Sequence, residues 1–166
     1  MTDSQLEAQI PGLRRYARAL CGDRALADDL VQDCLERALS RWSSWRRQGD
    51  LRGWLFAILR HLWIDEARRR SNRPPLVNID DHPDGLAQAA SQGLGLTMRD
   101  LSGALALLAP EQREVVLLVG LEGFRYAQVA EMTGVPLGTV MSRLKRGRDR
   151  LEQLMQEGGP ALRRVK

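Results

Sequence analysis

The chain has 166 residues, of which 43% are apolar and 28% are charged, so it can bury one ordinary core or two small ones. This composition excludes a chain that is disordered throughout, and no apolar run approaches the roughly 20 residues that span a bilayer. The N-terminus lacks the basic and then apolar pattern of a signal peptide. We therefore expect a cytoplasmic protein without membrane insertion.

The charges are unevenly distributed along the chain. The formal net charge is +4, and 23 of the 25 basic residues are arginine, which makes forked contacts with phosphate and guanine. Basic residues crowd residues 41–52, 60–73 and 143–150, whereas acidic residues collect in residues 23–36 and 80–84. This pattern predicts contacts with two kinds of charged surface.

Every strongly periodic segment has helical spacing, and strand alternation is missing from the pattern, so we predict an all-α protein. Residues 71–96 are rich in Ser, Asn, Asp, Gln, Gly and Pro, a composition typical of a linker. The predicted organisation is therefore two small helical domains, residues 1–70 and 97–166, joined by a flexible linker.

Helix signals in the N-terminal domain follow in chain order. Pro11 is expected to open a helix as its first residue, and Gly22 to end it. A second helix is predicted over residues 24–41, with Leu26, Leu30, Cys34, Leu35 and Ala38 inward. A third, which begins at Leu51, ends in three arginines at residues 68–70.

The C-terminal domain is expected to begin with a helix capped by Thr97, and Pro110 to open the next one, over residues 111–121. Residues 126–145 then have the spacing of a helix-turn-helix, in which Gly134 makes the turn. The outward side of its second helix carries Thr139, Ser142, Arg143, Arg146 and Arg150. A basic second helix of this kind is suited to a DNA groove.

The remaining chemistry is sparse. Cys21 and Cys34 lack metal-ligand spacing and are expected to be buried thiols, and His61 and His82 do not complete a metal site. Phosphate-loop and nucleophile motifs are also missing from the sequence. We therefore predict a protein that is not an enzyme and needs no cofactor.

Taken together, the ordered motifs resemble those of bacterial RNA polymerase sigma factors of the extracytoplasmic-function class. The matching segments are residues 27–33, 51–58 with Asp65 and residues 68–70, then residues 108–114 with 138–140 and 142–144. The amino-acid sequence of several stretches is similar to that of the sigma factors of the alphaproteobacterial general stress response. The resemblance implies a factor that binds core RNA polymerase through the largest-subunit clamp and the flap regions, binds promoter DNA, and is held inactive by an anti-sigma factor.

The resemblance also implies roles for individual residues. The clamp-binding helix corresponds to Asp28, Asp29, Gln32, Asp33 and Glu36. The segment that captures the minus-10 element includes Trp42 and corresponds to Trp45, Arg46, Arg47, Arg52, Arg60, His61, Arg68 and Arg69. The residues expected to contact the minus-35 element are Arg125, Thr139, Ser142, Arg143 and Arg146.

Alternatives accompany these roles. The acidic helix face is also consistent with simple solvation, and each tryptophan with core packing, Trp54 most of all. Two positions depart from the family pattern, because relatives often carry Asn at the position of His61 and a capping Ser at the position of Arg125. The strongest rival function is a stand-alone helix-turn-helix regulator of transcription, which leaves the N-terminal half unexplained.

Overall fold

The computed structural model describes residues 2–45, 49–72 and 92–162, and the secondary structure of these residues is helical without strands. The chain divides into two compact units, Met1–His82 and Pro83–Lys166. The all-α prediction is confirmed. Arg46, Arg47 and most of residues 71–96 lie outside the described residues.

The N-terminal unit is built from three helices that pack against one another: α1 (Thr2–Cys21), α2 (Arg24–Ser40) and α3 (Leu51–Ser71). Its core contains Leu13 and Tyr16 from α1, Cys34 from α2, and Leu55 and Phe56 from α3. Leu26 and Leu35, predicted to lie inward, are half-buried, whereas Ala27 and Val31 of α2 are buried. The buried side of α2 is therefore rotated slightly about the helix axis relative to the predicted side.

Pro11 lies inside α1 instead of opening a new helix, so that prediction is wrong. A proline in a helix removes one hydrogen bond to the carbonyl four residues earlier, here that of Glu7. Both Pro11 and Glu7 are exposed, so water can solvate the released carbonyl and the helix continues.

Capping residues fix the helix ends around α2 and α3. Gly22 ends α1 with φ +68°, and its N–H donates to the carbonyl of Arg18 at 2.9 Å. Asp23 then caps α2 by accepting the N–H of Leu26 at 3.2 Å. Asp50 caps α3 in the same way through the N–H of Arg52 at 3.1 Å.

The C-terminal unit comprises α4 (Gln92–Ala106), α5 (Pro110–Val116), α6 (Tyr126–Thr133) and α7 (Leu137–Leu162), with α4, α5 and α6 all packed against α7. Two predictions fail in detail. Helix α4 begins at Gln92, upstream of Thr97, because a capping residue is only a local preference that a longer helix can override. The predicted helix over residues 111–121 changes at Leu117–Leu121 into a turn with π-helical hydrogen bonds.

Helices α6 and α7 form the predicted helix-turn-helix. Gly134 ends α6 with φ +70°, and its N–H donates to the carbonyl of Ala130 at 2.9 Å. The buried contacts between the two helices include Val129, Val140 and Leu144. This confirms that the C-terminal unit contains a helix-turn-helix.

Candidate functional site

One side of α2 forms an acidic face, which consists of Asp28, Asp29, Gln32, Asp33 and Glu36. All five side chains are exposed, while the apolar side of the helix is buried in the core. Arg18 of α1 reaches Asp28 with 3.5 Å between Nη2 and Oδ1, and Gln32 donates to Glu36 at 3.1 Å. Asp29 and Asp33 make no such contact within the described part of the chain, so their carboxylates are available to a partner.

Three tryptophans form a cluster at the junction of α2 and α3: Trp42, Trp45 and Trp54. Trp45 stacks on Trp54 with a centroid distance of 6.1 Å and an interplanar angle of 25°, and Trp42 lies 5.1 Å from Trp45. All three are half-buried, Trp54 included, so each ring packs on its neighbours while part of the residue is exposed. The buried Nε1 of Trp45 finds no acceptor among the described residues.

The basic residues predicted on α3 do not share one surface. Trp54, His61 and Arg68 are spaced by seven residues, which places them on one stripe of the helix about 10 Å apart along its axis. Arg52 lies elsewhere, with its guanidinium carbon 5.2 Å from the centroid of the Phe56 ring. Arg60 is half-buried on a third side of the helix.

Three arginines, at positions 68–70, lie in the last turns of α3, and their guanidinium groups have different surroundings. Arg68 and Arg69 are both exposed in the last turns of α3, and Arg69 lies 3.9 Å from a carboxylate oxygen of Glu66. Arg70 makes a shorter contact with the same side chain, 3.2 Å. Exposed ion pairs of this kind contribute little to stability, so Arg69 and Arg70 can leave Glu66 and bind a phosphate instead.

His61 has a defined hydrogen-bonding pattern. Its Nδ1 lies 2.7 Å from the carbonyl oxygen of Ala57, which can only accept, so the neutral imidazole carries its proton on Nδ1. The exposed Nε2 is then an acceptor. An asparagine at this position would offer both a donor and an acceptor, so His61 presents a narrower pattern to a base.

The outward side of α7 differs from its predicted composition. Ser142 and Arg146 are exposed as predicted, and the Ser142 hydroxyl donates to the Thr139 carbonyl at 3.1 Å. The side chains of Thr139 and Arg143, in contrast, are half-buried at the flank of the helix. Met141, which sequence reasoning missed, is 51% exposed. The helical register could not have predicted this exposure, because Met141 and the half-buried Thr139 both lie about 100° from the buried Val140.

Arg125 occupies the N-cap of α6. A guanidinium cannot accept a hydrogen bond, so the side-chain cap of a serine is lost, as the sequence predicts. The other half of the capping box remains, because Gln128 Oε1 accepts the N–H of Arg125 at 2.9 Å. The Arg125 side chain is exposed beside the positive end of α6.

Two close contacts hold the helices of the C-terminal unit together. Arg113 of α5 donates to two carbonyls at the end of α4, at 2.8 Å to Leu105 and 2.9 Å to Ala106, and to the Leu108 carbonyl just after it at 3.3 Å. Gly147 is buried where α7 crosses α5, and a Cβ atom there would lie 2.7 Å from Cγ2 of Val116. Helix α7 is therefore held in close contact with α5, which fixes the position of its exposed side.

Over the described residues, none of the helices is both long and apolar enough to cross a membrane. An exposed acidic helix and an aromatic and basic helix in one unit, with a helix-turn-helix in the other, match the arrangement expected of a bacterial sigma factor. Family models agree: residues 6–60 match the sigma2 domain of PhyR, and residues 98–151 match sigma-70 region 4.

The chain is similar to the ECF RNA polymerase sigma factor EcfG of Rhodopseudomonas palustris, with 36% identity over 96% of this chain and 89% of the relative. A probable RNA polymerase sigma-C factor of Mycobacterium bovis is 34% identical over 80% of this chain and 72% of the relative. The chain belongs to the ECF RNA polymerase sigma factors. It is an alternative sigma factor, which binds core RNA polymerase and directs it to promoters.

A solved structure supports the same assignment. The sigma factor RpoE of Bartonella quintana, determined in complex with the anti-sigma factor NepR, is 34% identical to this chain. The similarity covers 93% of this chain and 96% of that one, with a TM-score of 0.78. The family resemblance found in the sequence is therefore confirmed.

Proposed function

We propose that the charged surfaces of this sigma factor have separate functions in transcription initiation: one binds the polymerase and the others bind promoter DNA. In this proposal residues 1–70 bind the polymerase clamp and the minus-10 element, and residues 97–166 bind the minus-35 element and the flap region. Residues 71–96 connect them. The observation that carries the proposal is the separation of the acidic face on α2 from the basic residues on α3 and α7. Charges of opposite sign on separate helices suit a protein partner and a nucleic acid at the same time.

The acidic face is assigned to the clamp of the core polymerase. Its carboxylates attract basic side chains over several ångströms, and the buried side of α2 anchors the helix to its own unit. Asp29 and Asp33 carry the largest share of this assignment, since neither must break a described contact before it binds. Asp28 would first exchange its contact with Arg18.

The minus-10 element is assigned to the tryptophan cluster and the stripe of His61 and Arg68. Unstacking a base costs a few kcal/mol, and stacking on an aromatic side chain returns about 1–3 kcal/mol per base. The half-buried tryptophans retain exposed ring surface for such stacking. The other members of this assignment are Arg46, Arg47, Arg52, Arg60 and Arg69. Of these, Arg52 would act through its packing on Phe56 and not as an unrestrained cation.

The minus-35 element is assigned to α7. Ser142 and Arg146 are the exposed members of the predicted set, so they are proposed to contact base edges, where an arginine forks onto guanine O6 and N7. Thr139 and Arg143 lie at the flank and are proposed to contact the backbone beside the groove. Arg125, exposed at the positive end of α6, is suited to a phosphate on the same duplex.

Regulation and location complete the proposal. The similarity to RpoE of Bartonella quintana, which was solved with NepR, supports control of this chain by an anti-sigma factor of the NepR kind. Such control would place the protein in the general stress response. Its partners, polymerase and promoter DNA, are cytoplasmic, and we assign it to the cytoplasm. Catalysis belongs to the polymerase, so the chain itself is assigned no enzymatic step.

The first test is competition with a housekeeping sigma factor for core polymerase, followed by gel filtration. Asp33→Arg should weaken binding to core by at least tenfold, since it replaces an attractive contact with a repulsive one. Glu7→Arg, the same charge reversal on the exposed side of α1, is the matched control and should bind as the wild type does. Equal binding of both variants would remove the clamp assignment.

The DNA assignment is tested separately in the reconstituted holoenzyme. Arg146→Ala should reduce discrimination between the native and a scrambled minus-35 element while leaving binding to core unchanged. A uniform loss of affinity on both sequences would instead identify Arg146 as a phosphate contact.

A further inference from the structure

We propose that Met141 reads thymine methyl groups in the upstream promoter element. The proposal rests on the function proposed for α7 and assigns a specificity-determining role to a residue outside the polar set described above. Met141 is 51% exposed in the second turn of α7, and Leu137, one turn earlier, is 47% exposed. Two large apolar side chains therefore face outward from a helix that otherwise presents polar and basic groups.

The register of α7 places Met141 at the flank of the helix, between its buried side and its outward side. Val140 and Leu144 are buried and set the inward side. Successive residues of a helix turn by about 100°, so Met141 lies at the border of the buried side, and Ser142 faces away from the core. Met141 thus stands beside Ser142 and one turn before Lys145, both of which are exposed.

The charges around Met141 indicate what covers it. Residues 143–150 of α7 contain five basic residues, Arg143, Lys145, Arg146, Arg148 and Arg150, and a single acidic one, Asp149. Such a surface is complementary to a polyanion, and an α-helix fits the major groove of a DNA duplex. The C5-methyl of thymine is the apolar group that this groove displays. A methionine side chain is flexible and polarisable, so it can adjust to a methyl group at the groove floor.

Val129, Val140 and Leu144 are the buried apolar side chains of α6 and α7 in the described part of the chain, and Met141 is not one of them. Exposed methionine forfeits hydrophobic stabilisation in the free protein. Covering it with a thymine methyl would recover that stabilisation only on sequences with an A·T pair in the right position. Met141 therefore favours promoter sequences with a thymine at the contacted position, in addition to the base contacts proposed for Ser142 and Arg146.

The test uses the reconstituted holoenzyme and promoter duplexes in which single thymines of the upstream element are replaced by deoxyuridine, which removes only the methyl group. The wild type should bind about fourfold more weakly when the contacted thymine is replaced, as expected for one buried methyl group. Met141→Ala should bind thymine and uracil duplexes equally. Met98→Ala, the same change at a 37% exposed methionine of α4, is the control and should retain the preference for thymine.

The inference is overturned if the wild type binds every thymine and uracil pair of duplexes equally. It is also overturned if Met141→Ala keeps the thymine preference but loses affinity for core polymerase or for a NepR-type anti-sigma factor, since Met141 would then dock on protein. A holoenzyme that does not select the unmodified promoter would refute the proposed function itself, and the methyl readout with it.

Discussion

The crossing of α7 over α5 allows a quantitative prediction about Gly147. A Cβ atom at this position would lie 2.7 Å from Cγ2 of Val116 and 3.3 Å from the backbone oxygen of Gln112. Favourable contacts between carbon atoms begin at about 3.5 Å, so a methyl group cannot be accommodated without movement. The β-branched Val116 has little rotamer freedom in a helix, and the Gln112 carbonyl moves only with α5.

The magnitude follows from two opposing terms. Replacing glycine by alanine inside a helix gains about 1 kcal/mol, because alanine loses less backbone entropy. Overpacking a close contact costs about 1–3 kcal/mol. We expect Gly147→Ala to destabilise the C-terminal unit by about 1 kcal/mol. Gly103→Ala in α4 meets nothing within 4 Å and should instead stabilise the unit. The two variants should therefore differ by about 2 kcal/mol.

Urea denaturation measures the difference, with an internal control in the sequence. All the tryptophans, at positions 42, 45, 54 and 63, lie in the N-terminal unit, so their fluorescence follows that unit alone. Circular dichroism follows both units. For a unit of this size Gly147→Ala should lower the midpoint of the C-terminal transition by about 1 M urea. The fluorescence transition should stay in place. Equal stabilisation by Gly147→Ala and Gly103→Ala would refute the argument from close packing.

Two further predictions concern the side chains of Arg113 and Cys34. Arg113→Ala should destabilise the C-terminal unit by about 2–3 kcal/mol, because it removes charged hydrogen bonds to the end of α4. Arg113→Lys should restore less than half of this, since one ammonium cannot span three carbonyls, and full restoration would contradict the role of the planar guanidinium. Burial raises the pKa of the Cys34 thiol from 9.0 to about 12, so native protein at pH 8 should resist iodoacetamide at Cys34. The folded state holds this proton more tightly, so Cys34 should lower stability only as the pH rises from 9.0 towards about 12, and a smaller alkaline loss in Cys34→Ala, read by tryptophan fluorescence, checks the sign.

Much of the fold could be predicted because its signals are local in the chain. The helical period, the cap at Asp23 and the glycine turn at Gly134 depend on residues within a few positions of one another. Pro11 and Thr97 show the limit of such signals. Each marks a possible helix start, but whether the helix continues depends on solvent access and on neighbouring turns.

The candidate site was predictable to a similar degree. The helical spacing of apolar residues correctly indicated that the acidic residues of α2 face outward. Leu30 and Cys34 are buried on one side of the helix, so the acidic residues lie on the other side. The same reasoning failed at the flanks of α7, where Thr139 and Arg143 are half-buried and Met141 is exposed. A helical wheel has no sharp edge, so residues at the border of the buried side are assigned only by what packs beside them.

The sequence by itself determined the helical class, the two charged surfaces, the helix-turn-helix and the family, since each depends on residue type and spacing along the chain. Only the tertiary structure decided that Trp42, Trp45 and Trp54 pack against one another and that Arg113 holds the end of α4. It also decided that Gly147 sets the approach of α7 to α5. These contacts join separate elements, and their geometry depends on how helices cross, which no local period of the sequence specifies.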